Sequence, residues 1–239
     1  MTVKIVGLFG QSGAGKTSII RSLPQQVNGN KVFPHTGIIR HLFNTQKGDD
    51  YINPKRALEL VDINDQLSAD EYFIKAQDVY SRYINSQFKL LNDFSAEVFK
   101  IKSERKSSGS TNQYLMFDRT PFDFLTVTLC GIELLKNKLD VELTDDKIKL
   151  LELIRKTAEV NTENFFDVFV ITYPWSKTTN SVMRDGIRDA YLDKNFTGDA
   201  WYGKMVDFKL NSKKTKTITI KEDIITLDER VQYLSDALK

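Results

Sequence analysis

Eight residues near the start of the chain combine glycine, lysine and a hydroxyl at a spacing that suits one task. Gly10-Gln11-Ser12-Gly13-Ala14-Gly15-Lys16-Thr17 fits the pattern G-x-x-x-x-G-K-[ST] at every defined position. Glycines permit backbone angles that bring several N–H groups toward one point. Those groups, with the N-terminus of a following helix, form a positive cradle for phosphate oxygens. Lys16 has the reach to neutralise the β- and γ-phosphates of a nucleoside triphosphate, and the Thr17 hydroxyl is a candidate Mg2+ ligand. Gly10 through Ser18 are therefore the candidate ATP-binding residues. Context supports the pattern, because an apolar strand precedes it and a helix follows.

Two further groups carry charge where such a loop would need it. Asp118 follows the apolar run Tyr114-Leu115-Met116-Phe117, at the strand end where an acid meets a nucleotide-bound metal. Its plainer reading is a helix cap, since aspartate caps helices well. Arg184-Asp185-Gly186-Ile187-Arg188-Asp189 follows a later strand, and a helix would put Arg184 and Arg188 on one face. Such arginines neutralise charge developing on a transferred phosphoryl group, with Lys177 and Lys194 as weaker candidates. The plainer reading there is a solvated helix of Arg–Asp pairs.

The run Leu115-Met116-Phe117-Asp118-Arg119-Thr120-Pro121-Phe122-Asp123 resembles the D-R-[ST]-x-x-D segment of P-loop nucleoside and nucleotide kinases. Thymidylate kinases carry a related D-R pair, deoxynucleoside kinases carry E-R-S there, and nicotinamide-riboside kinase-like proteins come close. The resemblance implies an acid at Asp118 that serves the Mg2+ or acts as base on the acceptor. It implies a phosphate-binding arginine at Arg119 and a contact from Asp123 to the acceptor sugar or base. It also implies a mobile lid at about 174–195 that contains Arg184 and Arg188. The likeness covers the core strands and their turns. Pro34 to Ser110 carries no acceptor-site signature of a named kinase.

The elements that would position these groups alternate. Val3–Phe9 reads as a strand buried on both faces, and Lys16 to about Leu23 as a helix ended by Pro24 and the polar stretch Gln25 to Asn30. Lys31–Phe33 reads as a second strand, and His35–Phe43 and Ala57–Ile63 as helices, the latter opened by Pro54. Ser68 with Glu71 makes a capping box. The stripe Phe73, Ala76, Tyr80, Tyr83, Gln87, Leu91, Phe94, Val98 and Ile101 then predicts an amphipathic helix of roughly 30 residues. Gln87 is its one polar break, and Phe88 stands ready to take that place. Tyr114–Phe117, Asp167–Thr172 and Thr217–Ile220 supply the remaining strands, with Ile224–Leu227 as rival to the last. Helices are expected after Pro121, over Asp145–Asn161, over Ala200–Leu210 and over Asp228–Leu238. This pattern predicts one α/β domain of P-loop NTPase fold over residues 1–239. Its parallel sheet has five strands in the order 2-3-1-4-5, with helices on both faces and a helical insertion at about 34–110.

Composition narrows the partners. A net charge of +2 over 239 residues argues for neither a strongly acidic nor a strongly basic partner surface. Cys130 is the single cysteine, so no intrachain disulfide forms, and a reducing, cytoplasmic setting is expected. No apolar run approaches the ~20 residues of a membrane span, and the N-terminus reads as mature sequence. Asn137-Lys138-Leu139-Asp140 matches the N-K-x-D guanine pattern, but no glycine follows Asp118 at the D-x-x-G spacing and no strand precedes it. His35 and His41 read as ordinary helix residues, and Lys213, Lys214 and Lys216 as a solvated loop, with nucleic-acid phosphate as the other reading. The expected activity is Mg2+-aided transfer of the γ-phosphoryl of ATP to a deoxynucleoside monophosphate. A free nucleoside, or a base or end in DNA, is the next acceptor, and a homodimer is a candidate assembly. A nucleotide-dependent switch or NTPase is the alternative of another class.

Overall fold

The computed structural model describes residues 2–10, 14–45, 50–63, 66–108, 111–173, 214–221 and 223–239. Six strands form one sheet: β1 (Val3–Phe9), β2 (Gln26–Val27), β3 (Asn30–His35), β4 (Gln113–Phe117), β5 (Val168–Thr172) and β6 (Lys216–Ile220). Their order is β2-β3-β4-β1-β5-β6. The five longer strands are mutually parallel and keep the expected 2-3-1-4-5 order. The expectation of a purely parallel five-stranded sheet is corrected by β2, which pairs antiparallel with β3 and makes the sheet mixed. The cause is local. Asn28 and Gly29 take φ of 51° and 76°, the left-handed pair that a two-residue hairpin turn requires.

Side chains alternate across the sheet and feed two cores. Ile5, Phe9, Leu115, Phe117 and Phe169 point to one face, while Val6, Leu8, Met116, Val170 and Ile218 point to the other. Seven helices are described: α1 (Lys16–Ser22), α2 (Ile38–Thr45), α3 (Pro54–Glu59), α4 (Ala69–Ser108), α5 (Pro121–Leu139), α6 (Asp145–Phe165) and α7 (Leu227–Ala237). Helices α4, α5 and α6 build the first core, and α1 and α7 build the second. Both faces being covered explains why the central strands read as continuous apolar runs. The Ile224–Leu227 stretch forms no strand, because Thr226 caps α7 instead.

Helix α4 runs for 40 residues, about 60 Å, and exceeds the expected length by a third. Ser68 starts it as expected: its N–H donates to Glu71 Oε2 at 2.9 Å, and the Glu71 N–H donates to Ser68 Oγ at 3.3 Å. Gln87 does not yield its place to Phe88. It is itself buried, and its amide donates to the Ile52 carbonyl at 3.0 Å while Ser86 accepts from the Ile52 N–H at 2.7 Å. These bonds dock the segment before α3 onto α4. Tyr72, Tyr80 and Tyr83 send their hydroxyls to the carbonyls of Leu139, Val141 and Val127 on and after α5. Close approach of the two helices needs Gly131, where an added Cβ would lie 2.1 Å from the Tyr83 hydroxyl.

Candidate functional site

The loop between β1 and α1 forms at the C-terminal edge of the sheet. Gly10 leaves β1 with φ 155°, and a Cβ there would lie 2.3 Å from the Thr172 carbonyl at the end of β5, so only glycine fits. Gln11, Ser12 and Gly13 lie outside the described residues. Ala14 is buried, and Gly15 opens α1 with φ 80°. The first turn of α1 holds no acidic side chain, so no carboxylate of its own competes for the helix N-terminal amides. Ser18 is exposed on that turn.

Lys16 lies folded against the loop. Its side chain is 6% exposed, its amino group donates to the Gly10 carbonyl, and Asp123 Oδ1 stands 3.9 Å away. Thr17 points to the neighbouring strand. The parallel register sets Gly7 against Phe117, which brings the residue after β4 beside the start of α1. The Thr17 hydroxyl therefore donates to Asp118 Oδ2 at 2.7 Å. Gly7 permits the crossing, since a Cβ there would meet Phe166 and the Thr120 methyl at 2.6 Å. The cap of α5 is Thr120, so the reading of Asp118 as a helix cap falls away.

Asp123, the expected acceptor contact, is held by partners within the chain. It is the third residue of α5 and is 2% exposed. Its Oδ2 accepts from the Thr120 N–H at 2.8 Å and from the Thr120 hydroxyl at 3.0 Å, which completes the helix cap. Its Oδ1 accepts from Arg119 Nη1 at 3.2 Å and faces Lys16. One buried carboxylate thus joins the lysine of the loop to the arginine of the D-R pair.

The Thr17–Asp118 pair fits Mg2+. Both ligands are oxygen, and Mg2+ takes one or two protein oxygens and completes its octahedron with water and phosphate. Among the described residues no cluster of three or more His, Cys, Asp or Glu suits a metal held by protein alone.

Several other expectations meet the structure. His35 ends β3 rather than starting a helix, and its ring stacks on Phe117 at 5.0 Å. Burial, then the charge of Arg105, lowers its pKa from 6.5 to about 4. Asn137-Lys138-Leu139-Asp140 occupies the C-terminal end of α5, with Asp140 as its left-handed cap, so it follows no strand. Lys216 lies in β6 and donates to the Ala237 carbonyl at the end of α7 at 2.7 Å, a structural task. Arg184 and Arg188, with Lys177, Lys194, Lys213 and the Ala200–Leu210 helix, lie outside the described residues.

Sequence reasoning passed over Arg230. It is fully buried and reaches the carbonyls of Ile224, Ala14 and Tyr173. Its signal was an arginine inside the apolar stripe Leu227, Val231 and Leu234 of α7 and Leu238 at its C-cap.

No protein-family model matches the sequence, and no curated protein matches it. Solved structures do. A thymidylate kinase from Candida albicans aligns with a TM-score of 0.49 at 11% identity, over 99% of this chain and 91% of that one. A NadR protein in complex with NR aligns with a TM-score of 0.47 at 14% identity, over 99% of this chain and 50% of that one. NadR in complex with NAD and AMP-PNP gives 0.44 at 17% identity, over 99% and 48%. This chain spans about half the length of the two NadR chains. By its own sheet order, its turn at Gly10 and its Thr17–Asp118 pair, the chain has the fold of an α/β domain with a P-loop between β1 and α1.

Proposed function

We propose that this protein transfers the γ-phosphoryl of ATP to a nucleotide-type acceptor, first among them a deoxynucleoside monophosphate. The observation that carries the reading is the 2.7 Å bond from Thr17 to Asp118, made beside a glycine loop and its lysine. Gly10 to Ser18 hold the donor phosphates, and Lys16 swings from the Gly10 carbonyl to the β- and γ-phosphates. Thr17 and Asp118 would hold Mg2+, which when bound neutralises charge on those phosphates. Arg119 grips a phosphate on the acceptor side, steadied by Asp123. Arg184 or Arg188 closes over the reacting centre. Catalysis is then mostly positioning and electrostatics, as phosphoryl transfer requires. The preference for a deoxynucleoside monophosphate rests on the likeness of the Asp118-Arg119 pair to that of thymidylate kinases.

The test is transfer of labelled γ-phosphate from ATP to a panel of deoxynucleoside monophosphates, nucleosides and DNA. Expected is Mg2+-dependent labelling of a monophosphate, with Lys16→Ala lowering kcat by about 10²–10³-fold. Labelling of nucleosides or polymer alone replaces the acceptor. ATP hydrolysis with no acceptor labelled at all replaces the kinase reading with that of a switch.

A further inference from the structure

We infer that Arg230 is a positioning residue for the nucleoside end of the donor, an inference that rests on the loop at Gly10 binding ATP. Three segments meet at its guanidinium. Nε donates to the Ile224 carbonyl at 2.8 Å, in the stretch after β6. Nη1 donates to the Tyr173 carbonyl at 2.7 Å, immediately after β5, and to the Ala14 carbonyl at 3.4 Å, inside the phosphate loop. The strand order puts β1, β5 and β6 side by side, so these three carbonyls stand in sequence along one edge of the sheet. Asp118 and Arg119 flank β1 on the other side, and they mark the reacting end of a bound triphosphate. The nucleoside must extend the opposite way, over the segments that Arg230 ties together.

The residue type suits this task. A planar fork of five donors serves carbonyls in several directions at once, whereas a lysine offers a single point charge. The side chain is also fixed at its root. The Thr226 N–H donates to Glu229 Oε2 at 2.9 Å, and the Glu229 N–H donates to Thr226 Oγ1 at 3.2 Å, which pins the first turn of α7. Leu234, one turn on, is fully buried in the second core. The Tyr173 N–H donates to the Ile220 carbonyl at 3.1 Å, which joins the ends of β5 and β6 directly, and Arg230 adds a link to the phosphate loop.

The experiment compares wild type, Arg230→Lys and Arg230→Met in the full chain. It reads direct Mg·ATP binding, KM for ATP, KM for the acceptor and Tm. Expected is an ATP affinity weakened by roughly tenfold to hundredfold in Arg230→Met, with acceptor KM within about twofold and Arg230→Lys in between. A residue that only braces the fold would lower Tm and leave the ATP constants of the folded fraction unchanged, and that result overturns the inference. Hydrogen exchange on wild type covers variants that do not fold. Mg·ATP should slow exchange at 223–231 along with the amides of α1, and protection confined to α1 overturns the inference. If no acceptor is phosphorylated while ATP binding still weakens in Arg230→Met, the kinase reading falls and this one stands.

Discussion

Asp123 shows how one side chain can serve several masters. Its carboxylate caps α5, receives Arg119 and faces Lys16, all at 2% exposure. A buried carboxylate of this kind stabilises only while its cations stay in place, and removing it leaves them uncompensated. Asp123→Asn should therefore destabilise the fold by about 3 kcal/mol, read as a lower urea midpoint at unchanged slope. It should also slow phosphoryl transfer, since Lys16 and Arg119 lose their common anchor. An unchanged midpoint would show that the carboxylate braces nothing. The D-R-x-x-x-D spacing was visible in the sequence, but the direction of Asp123 was not. Its neighbours Thr120 and Lys16 are fixed by α5 and α1 separately, and only their meeting at one strand edge makes Asp123 an internal brace.

At the level of elements, the alternation of strand and helix was legible because apolar period and cap residues act locally. Ser68 with Glu71 and the Pro121 helix start both stand where the residues put them. The hairpin at Asn28-Gly29 carried its own signal, yet β2 is only two residues long and exists through its pairing with β3. Gln87 belongs to the same class of miss. A glutamine in an apolar stripe looks like a break, and the partner that satisfies it, the Ile52 backbone, is 35 residues away in sequence. The packing of α4 on α5 gives the prediction at this scale. Gly131→Ala should push Tyr83 from its bond to the Val127 carbonyl and cost about 1–3 kcal/mol in thermal or urea unfolding. In combination with Tyr83→Phe, which removes the nearest atom, the loss should shrink. Full additivity of the two would mean that the helices do not meet there.

At the scale of the whole molecule, one pH response comes from a residue of β3 that stacks on β4. His35 is neutral against Phe117, its ring is lowered to about 4, and its Nε2 is buried with no hydrogen-bond partner among the described residues. The unfolded chain takes up that proton near pH 6.5 and the folded chain does not until about 4. Stability is thus fully present above pH 6.5 and declines as pH falls toward 4. Because the ring is partly exposed, the loss is about 1 kcal/mol rather than the full linkage value. His35→Gln should flatten the fall in Tm between those limits. A wild-type Tm that stays level across that window, or an equal fall in the variant, would remove His35 as its cause.

What the residues determined alone was the phosphate-loop pattern from Gly10 to Thr17. A phosphate loop is a local object, built from glycine dihedrals, one lysine and one hydroxyl within eight positions, so its pattern survives without the fold. The tertiary structure decided which distant groups meet it. Asp118 reaches Thr17 because β4 lies parallel beside β1. Asp123 turns inward because α5 starts beneath Lys16. Arg230, 216 residues from Ala14, reaches the loop because α7 packs against α1 on the second core. These are long-range pairings fixed by strand order and burial, which a linear spacing does not encode.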